Sequence, residues 1–138
     1  MAATPNVMLV DDATEAHEPL AKFLERSGHR VTCVGSGRQA LIDLIRDLPD
    51  VLVLDLLMPG MDGASLLAVI RSYLRLQSLP VIVLTALPDS PMIERVLGLG
   101  VDAVLIKGKA TVEDVRSAVN KANRRHVDAA VLVAPAGG

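Results

Sequence analysis

Short runs of apolar residues alternate with stretches in which apolar residues recur every three or four positions, and this double rhythm fills most of the chain. The first run, Asn6-Val-Met-Leu-Val10, stops at Asp11-Asp12. Beyond it Leu20, Phe23, Leu24 and Ser27 share a helical face that Gly28 closes. Residues 30–35 are short and β-branched, which predicts a second strand. Ser36 stands where it can cap a helix whose Ala40, Leu41, Leu44 and Ile45 share a face. Asp50-Val-Leu-Val-Leu-Asp55 is apolar at every interior position, the pattern of a central parallel strand covered on both sides. Residues 58–63 have loop chemistry, and Leu66, Leu67, Ile70 and Leu74 mark a third helix. Residues 80–85 predict a fourth strand, 92–99 a fourth helix ending at Gly100, and 103–106 a fifth strand. Thr111 with Asp114 three positions on signals the start of a last helix that buries Val115, Val119 and Ala122. Five strands separated by helices predict an α/β fold: a doubly wound, five-stranded parallel sheet with five helices on its two faces. Residues 126–138 turn small and apolar, so the domain is expected over 1–125, with 126–138 as a tail or the start of a linker.

Composition narrows the field. A chain of 138 residues, 51% hydrophobic and 22% charged, has the size of one domain and is too apolar for a disordered chain. Lys plus Arg number 14 against 16 Asp plus Glu, so there is no basic excess of the kind nucleic-acid binders carry. The longest apolar runs fall far short of the roughly 20 residues a membrane helix needs. The first residues show no secretory pattern, and Cys33 is alone, which together lead to the expectation of a cytoplasmic protein. Phe23 and Tyr73 are the whole aromatic supply, so the core must be aliphatic and no base-stacking platform is available. Cys33 is expected to be buried in its strand. His17, His29 and His126 lack partners at metal-ligand spacing and are assigned to the surface.

In a doubly wound sheet, ligands bind outside the carboxyl ends of the strands. The residues that close the apolar runs are Asp11 and Asp12, Asp55, Thr85 and Lys107. Taken singly each has an ordinary explanation: aspartates form turns and caps, and a lysine is commonly a solvated charge. Taken together they bring carboxylates, a hydroxyl and an ammonium to one edge. Clustered carboxylates repel unless a cation neutralises them, and an all-oxygen donor set suits Mg²⁺. Asp62 is read as a loop or cap residue outside this group.

This constellation resembles the receiver domain of two-component response regulators over residues 6–125. The resemblance rests on Asp11-Asp12, on Asp55 within Leu-Asp-Leu-Leu-Met-Pro-Gly-Met-Asp-Gly, on Thr85-Ala86 and on Lys107. It implies a flavodoxin-like receiver fold in which Asp55 accepts a phosphoryl group from a histidine kinase or phosphotransfer protein. It implies Mg²⁺ held by Asp12, Asp55 and the Leu57 backbone carbonyl, with Asp11 reaching it mainly through water. Lys107 would neutralise the phosphoryl oxygens and Thr85 would donate its hydroxyl once that group is in place. A signalling switch of this kind is not an enzyme with turnover. Its downstream partner is expected on the fourth helix, fifth strand and fifth helix, including Met92, Ile93, Val96 and Val104. The apolar strip Val131-Leu132-Val133 is expected to lie on its own domain or to mediate a homodimer.

Two departures from the family pattern keep a second reading open, a degenerate receiver that docks proteins without phosphorylation. Val104 stands where receivers usually carry Tyr or Phe, and Gly108 follows the lysine where they usually carry Pro. The Lys107–Gly108 bond is therefore expected to be trans, with the glycine's backbone freedom turning the loop toward the site. An aspartate-nucleophile hydrolase of the haloacid dehalogenase type needs a second Asp two residues after the nucleophile, and that position is Leu57. Gly108-Lys109 lacks the spacing of a P-loop, and Gly35-Ser-Gly37 lacks the third glycine of a dinucleotide fingerprint.

Overall fold

Each apolar run of the sequence becomes a strand because it is flanked on both sides by helices that can cover it. The computed structural model describes residues 4–137, with the side chains of Thr14, Ala16 and residues 126 onward outside the description. In chain order the elements are β1 (Asn6–Val10), α1 (Thr14–Arg26), β2 (Arg30–Val34), α2 (Gly37–Arg46) and β3 (Val51–Asp55). Then follow α3 (Gly63–Ser72), a 3₁₀ turn at Leu74–Leu76, β4 (Val81–Thr85), α4 (Pro91–Leu99), β5 (Ala103–Ile106) and α5 (Val112–Gly137). All strand pairs are parallel, in the order β2-β1-β3-β4-β5. This is the five-stranded, doubly wound sheet the pattern predicts, with the strand order of the flavodoxin-like class.

Alternation along the central strands feeds two separate cores. Val7 and Leu9 of β1, Val51 and Val53 of β3, and Ile82 of β4 pack with Leu20, Ala21 and Leu24 of α1 and Val115, Val119 and Ala122 of α5. Met8, Val10, Leu52, Leu54, Val81 and Val83 face the other way, against residues of α2, α3 and α4 that include Ala40, Leu44, Leu67, Ile70 and Val96. Only strands in the middle of a parallel sheet need to be apolar at every position, and β3 is buried throughout. Helix starts follow the sequence signals: Ser36, Asp62 and Ser90 accept backbone N–H bonds as N-caps. Thr111 and Asp114 bond reciprocally at the head of α5.

Several expectations are corrected. Leu74 is 85% exposed, because Tyr73 adopts an extended conformation that ends α3, and Leu76 in the following turn takes the buried position instead. Ile45 is exposed on α2, and Cys33 is exposed on β2, an edge strand with one neighbour. Val96 belongs to the core and not to a partner face. His17 and His29 are buried, at 7% and 6% exposure. The change of composition at 126 coincides with no change in the backbone, since α5 is helical through Gly137. The expectations for His126 and for Val131-Leu132-Val133 concern side chains outside the described residues.

Candidate functional site

Strand register assembles the site. Val10 pairs with Leu54, so Asp11 and Asp55, the next residue on each chain, emerge side by side. Thr85 pairs with Ile106, which places Lys107 one step beyond the threonine. Asp11, Asp12 and Asp55 each bring an oxygen within 4.8 Å of the others. The Lys107 ammonium donates to Asp11 Oδ2 at 2.8 Å and lies 3.5 Å from Asp55 Oδ2. Asp11, Asp12, Asp55 and Lys107 thus come together, while Thr85 joins them only through the backbone bond between its carbonyl and the Lys107 N–H.

Local bonds fix each member. Asp11 Oδ1 accepts the Ala13 N–H at 2.9 Å, so the acidic pair is held by a turn at the head of α1. Asp55 Oδ1 accepts the Leu57 N–H at 3.3 Å, which aims the carboxylate along the loop after β3. That loop returns so closely that a Cβ on Gly63 would lie 2.3 Å from the Asp55 carbonyl oxygen; no other residue fits there. Thr85 is wholly buried, and its hydroxyl accepts the Leu87 N–H. Its carbonyl accepts the Lys107 N–H at 2.8 Å, tying the loops after β4 and β5 together. No cis peptide bond occurs among the described residues, and Gly108 takes φ +87°, a conformation other residues rarely adopt. The expected trans junction is therefore present, and the glycine makes it workable.

The electrostatics are unbalanced by design of the cluster. Asp55 and Asp11 are buried and Asp12 is exposed, three carboxylates against the one ammonium of Lys107. Burial pushes the Asp55 carboxyl above its ordinary value, Lys107 pulls it partly back, and Asp11 pushes it up further. Burial also works to lower Lys107, but its hydrogen bond to Asp11 and the charges of Asp55 and Asp11 outweigh that and hold the ammonium above its ordinary value. A hard divalent cation would remove the surplus negative charge. The all-oxygen donor set, with one exposed member and room for water, fits Mg²⁺.

Other sequence expectations sort cleanly. Asp62 caps α3 through the Ser65 N–H at 2.8 Å and lies outside the acidic group. His29 is held by Leu24 O and by Asn120 Oδ1 across 91 residues, a partner no local pattern reveals. His17 could have been found: it precedes Leu20 by three and Leu24 by seven, on the buried face of α1.

The family model described as the response regulator receiver domain matches residues 7–120. The transcriptional regulatory protein AfsQ1 of Streptomyces coelicolor is 34% identical over 131 residues, 91% of this chain and 56% of that protein. The receiver domain of Francisella response regulator 1452 superposes with a TM-score of 0.78 at 32% identity, covering 88% of this chain and 98% of that one. The receiver domain of a histidine kinase from Syntrophus aciditrophicus gives 0.80 at 30% identity, covering 88% and 91%. Fold and site thus define a phosphoacceptor signalling domain. The chain belongs to the response regulator receiver family. It spans about half or less of the length of curated relatives such as AfsQ1 and the regulator DctD of Rhizobium meliloti.

Proposed function

We propose that Asp55 is the phosphoacceptor of a Mg²⁺-dependent switch fed by a histidine kinase or a histidine phosphotransfer protein. The observation that carries this is the pairing of a buried Asp55 with Lys107 at 3.5 Å inside a cup of three carboxylates. Asp55 attacks phosphorus, a P–O bond forms as the P–N bond of the donor phosphohistidine breaks, and the imidazole leaves. Catalysis of such a transfer is largely positioning and charge neutralisation. Asp12, Asp55 and the Leu57 backbone carbonyl would hold the metal, with Asp11 reaching it mainly through water. Mg²⁺ supplies the positive charge that lets an anionic group approach this cluster. Lys107 stabilises the phosphoryl oxygens, and Thr85 turns its hydroxyl from Leu87 to meet them. The domain is a switch and not a turnover enzyme.

The complete acceptor set favours this reading over a phosphorylation-independent docking module. Val104 cannot act as a rotating ring, so the output runs through the loops joined by the Lys107–Thr85 backbone bond. The downstream partner then reads α4, β5 and α5, where Leu97 is exposed and Met92, Ile93 and Val104 are half-buried. A homodimer is the alternative output. Residues 1–125 form the receiver, and 126–138 are a tail or the start of a linker. A cytoplasmic location follows from the kinase partner, and no helix among the described residues is long and apolar enough to cross a membrane.

Intact mass after incubation with Mg²⁺ and a small acyl phosphate tests the assignment. Wild type should gain one phosphoryl group, and Asp55→Asn or excess chelator should abolish the gain. Labelling that survives either treatment would refute it.

A further inference from the structure

Away from the acceptor, at the amino ends of β4 and β5, a cleft of about 440 Å³ opens between the close of α3, the segment after the 3₁₀ turn, the end of α4 and Arg125 of α5. Its polar walls are Arg71, Gln77, Ser78, Asp102 and Arg125. Two guanidiniums therefore share the cleft with one carboxylate. Asp102 is committed to Arg125, whose Nε and one terminal nitrogen bond it at 2.6 and 3.0 Å. Arg71 is half-buried and forms no ion pair among the described residues. Its charge is met by carbonyl dipoles, those of Leu76 and Gly100, at 2.9 and 2.8 Å. A guanidinium carries more N–H donors than these two bonds use, so part of the fork is left for another acceptor.

The electrostatics say which acceptor suits it. Burial pulls the Arg71 guanidinium below its ordinary value, Asp102 works against that, and the charge of Arg125 adds to it. A full negative charge placed before Arg71 and Arg125 would stabilise both through charge-assisted bonds, which carbonyl dipoles do less well. The remaining wall is Leu79, Leu99 and Val101, an apolar surface that a bare inorganic ion would leave wet. We propose that this cleft binds a small organic anion, a carboxylate or phosphate monoester whose head lies between Arg71 and Arg125 and whose short aliphatic body lies against Leu79, Leu99 and Val101. The site stands at the opposite end of the sheet from Asp55, so its test does not share the fate of the acceptor assignment.

Backbone amide shifts of Gly100, Val101 and Asp102 in the full chain, titrated at low ionic strength, provide that test. The probes are 4-methylpentanoate, 3-methylbutyl phosphate and the neutral 4-methylpentanamide. Both anions should give saturable shifts at these residues, the tighter one naming the head group. The amide should bind at least about tenfold more weakly. Ser78→Glu adds a carboxylate at an exposed position of the wall and should weaken both anions by about tenfold or more. Asp102→Asn removes the competing carboxylate and should tighten both anions several-fold, the reverse of what loss of a structural contact would do. Absence of saturable shifts at millimolar anion, equal binding of the amide, or indifference to Ser78→Glu would each overturn the proposal. So would weaker binding by Asp102→Asn. Equal shifts at the exposed Arg38 and Arg46 of α2 would overturn it too, since the anions would then be following surface charge at large.

Discussion

The two ends of the sheet handle charge in opposite ways. At the carboxyl ends, three carboxylates face one ammonium and the surplus is left standing. At the other end, charge is used up locally. Arg125 pairs with Asp102 through two nitrogens, at 2.6 and 3.0 Å, where β5 begins. Arg71, at the close of α3, donates to the carbonyls of Leu76 and Gly100, so one side chain ties α3, the 3₁₀ turn and the end of α4 together. The second end is built for stability. The first is held in a state that only an added cation and an anionic group complete, and that imbalance is what a receiving site requires.

Substitutions at the two ends should therefore fail differently. The largest effect on folding is expected from Gly63→Ala. A Cβ there collides with the Asp55–Leu56 backbone, and denaturant melts should show a loss of about 3 kcal/mol or more, with phosphorylation lost alongside. A variant that melts like wild type would show that the loop is not pinned to the acceptor. Arg71→Ala should come next, at about 1.5–3 kcal/mol for bonds from a charged donor to carbonyls, while leaving the rate of phosphorylation by a small acyl phosphate unchanged. A slowed rate at full folding would mean that the ends are coupled. Asp102→Asn should be smallest, within about 1 kcal/mol, since Arg125 is more than half exposed and such pairs are weak. A larger loss would make the Arg125 tie a principal anchor of α5.

Sequence periodicity made the fold legible because a parallel sheet announces itself through strands apolar on both faces, and the site legible because it lies at the ends of those strands. What stayed hidden depended on contacts across the chain. Leu74 keeps helical spacing from Ile70, but the extended backbone at Tyr73 breaks the phase. Cys33 sits in a β-branched run, yet its strand falls at the sheet edge, a consequence of topology rather than of local pattern. His29 is buried, and its ring bonds to Asn120, 91 residues away. The surplus of charge could be counted from the sequence, but the preference of Lys107 for Asp11 over Asp55 could not.

The central claim, that the upper edge is held unbalanced until a cation arrives, is tested most directly by thermal melts of wild type and Asp55→Asn with chelator and with Mg²⁺. Because burial raises the Asp55 carboxyl, the folded state favours its neutral form, and stability falls as pH rises past the ordinary carboxylate range into the raised one. At neutral pH in chelator, Asp55→Asn should therefore melt above wild type, and below the ordinary carboxylate range the difference should vanish. Mg²⁺ should raise the melting temperature of wild type and scarcely that of the variant, closing or reversing the gap. A variant that melts below wild type in chelator, or a Mg²⁺ effect equal in both proteins, would contradict the account.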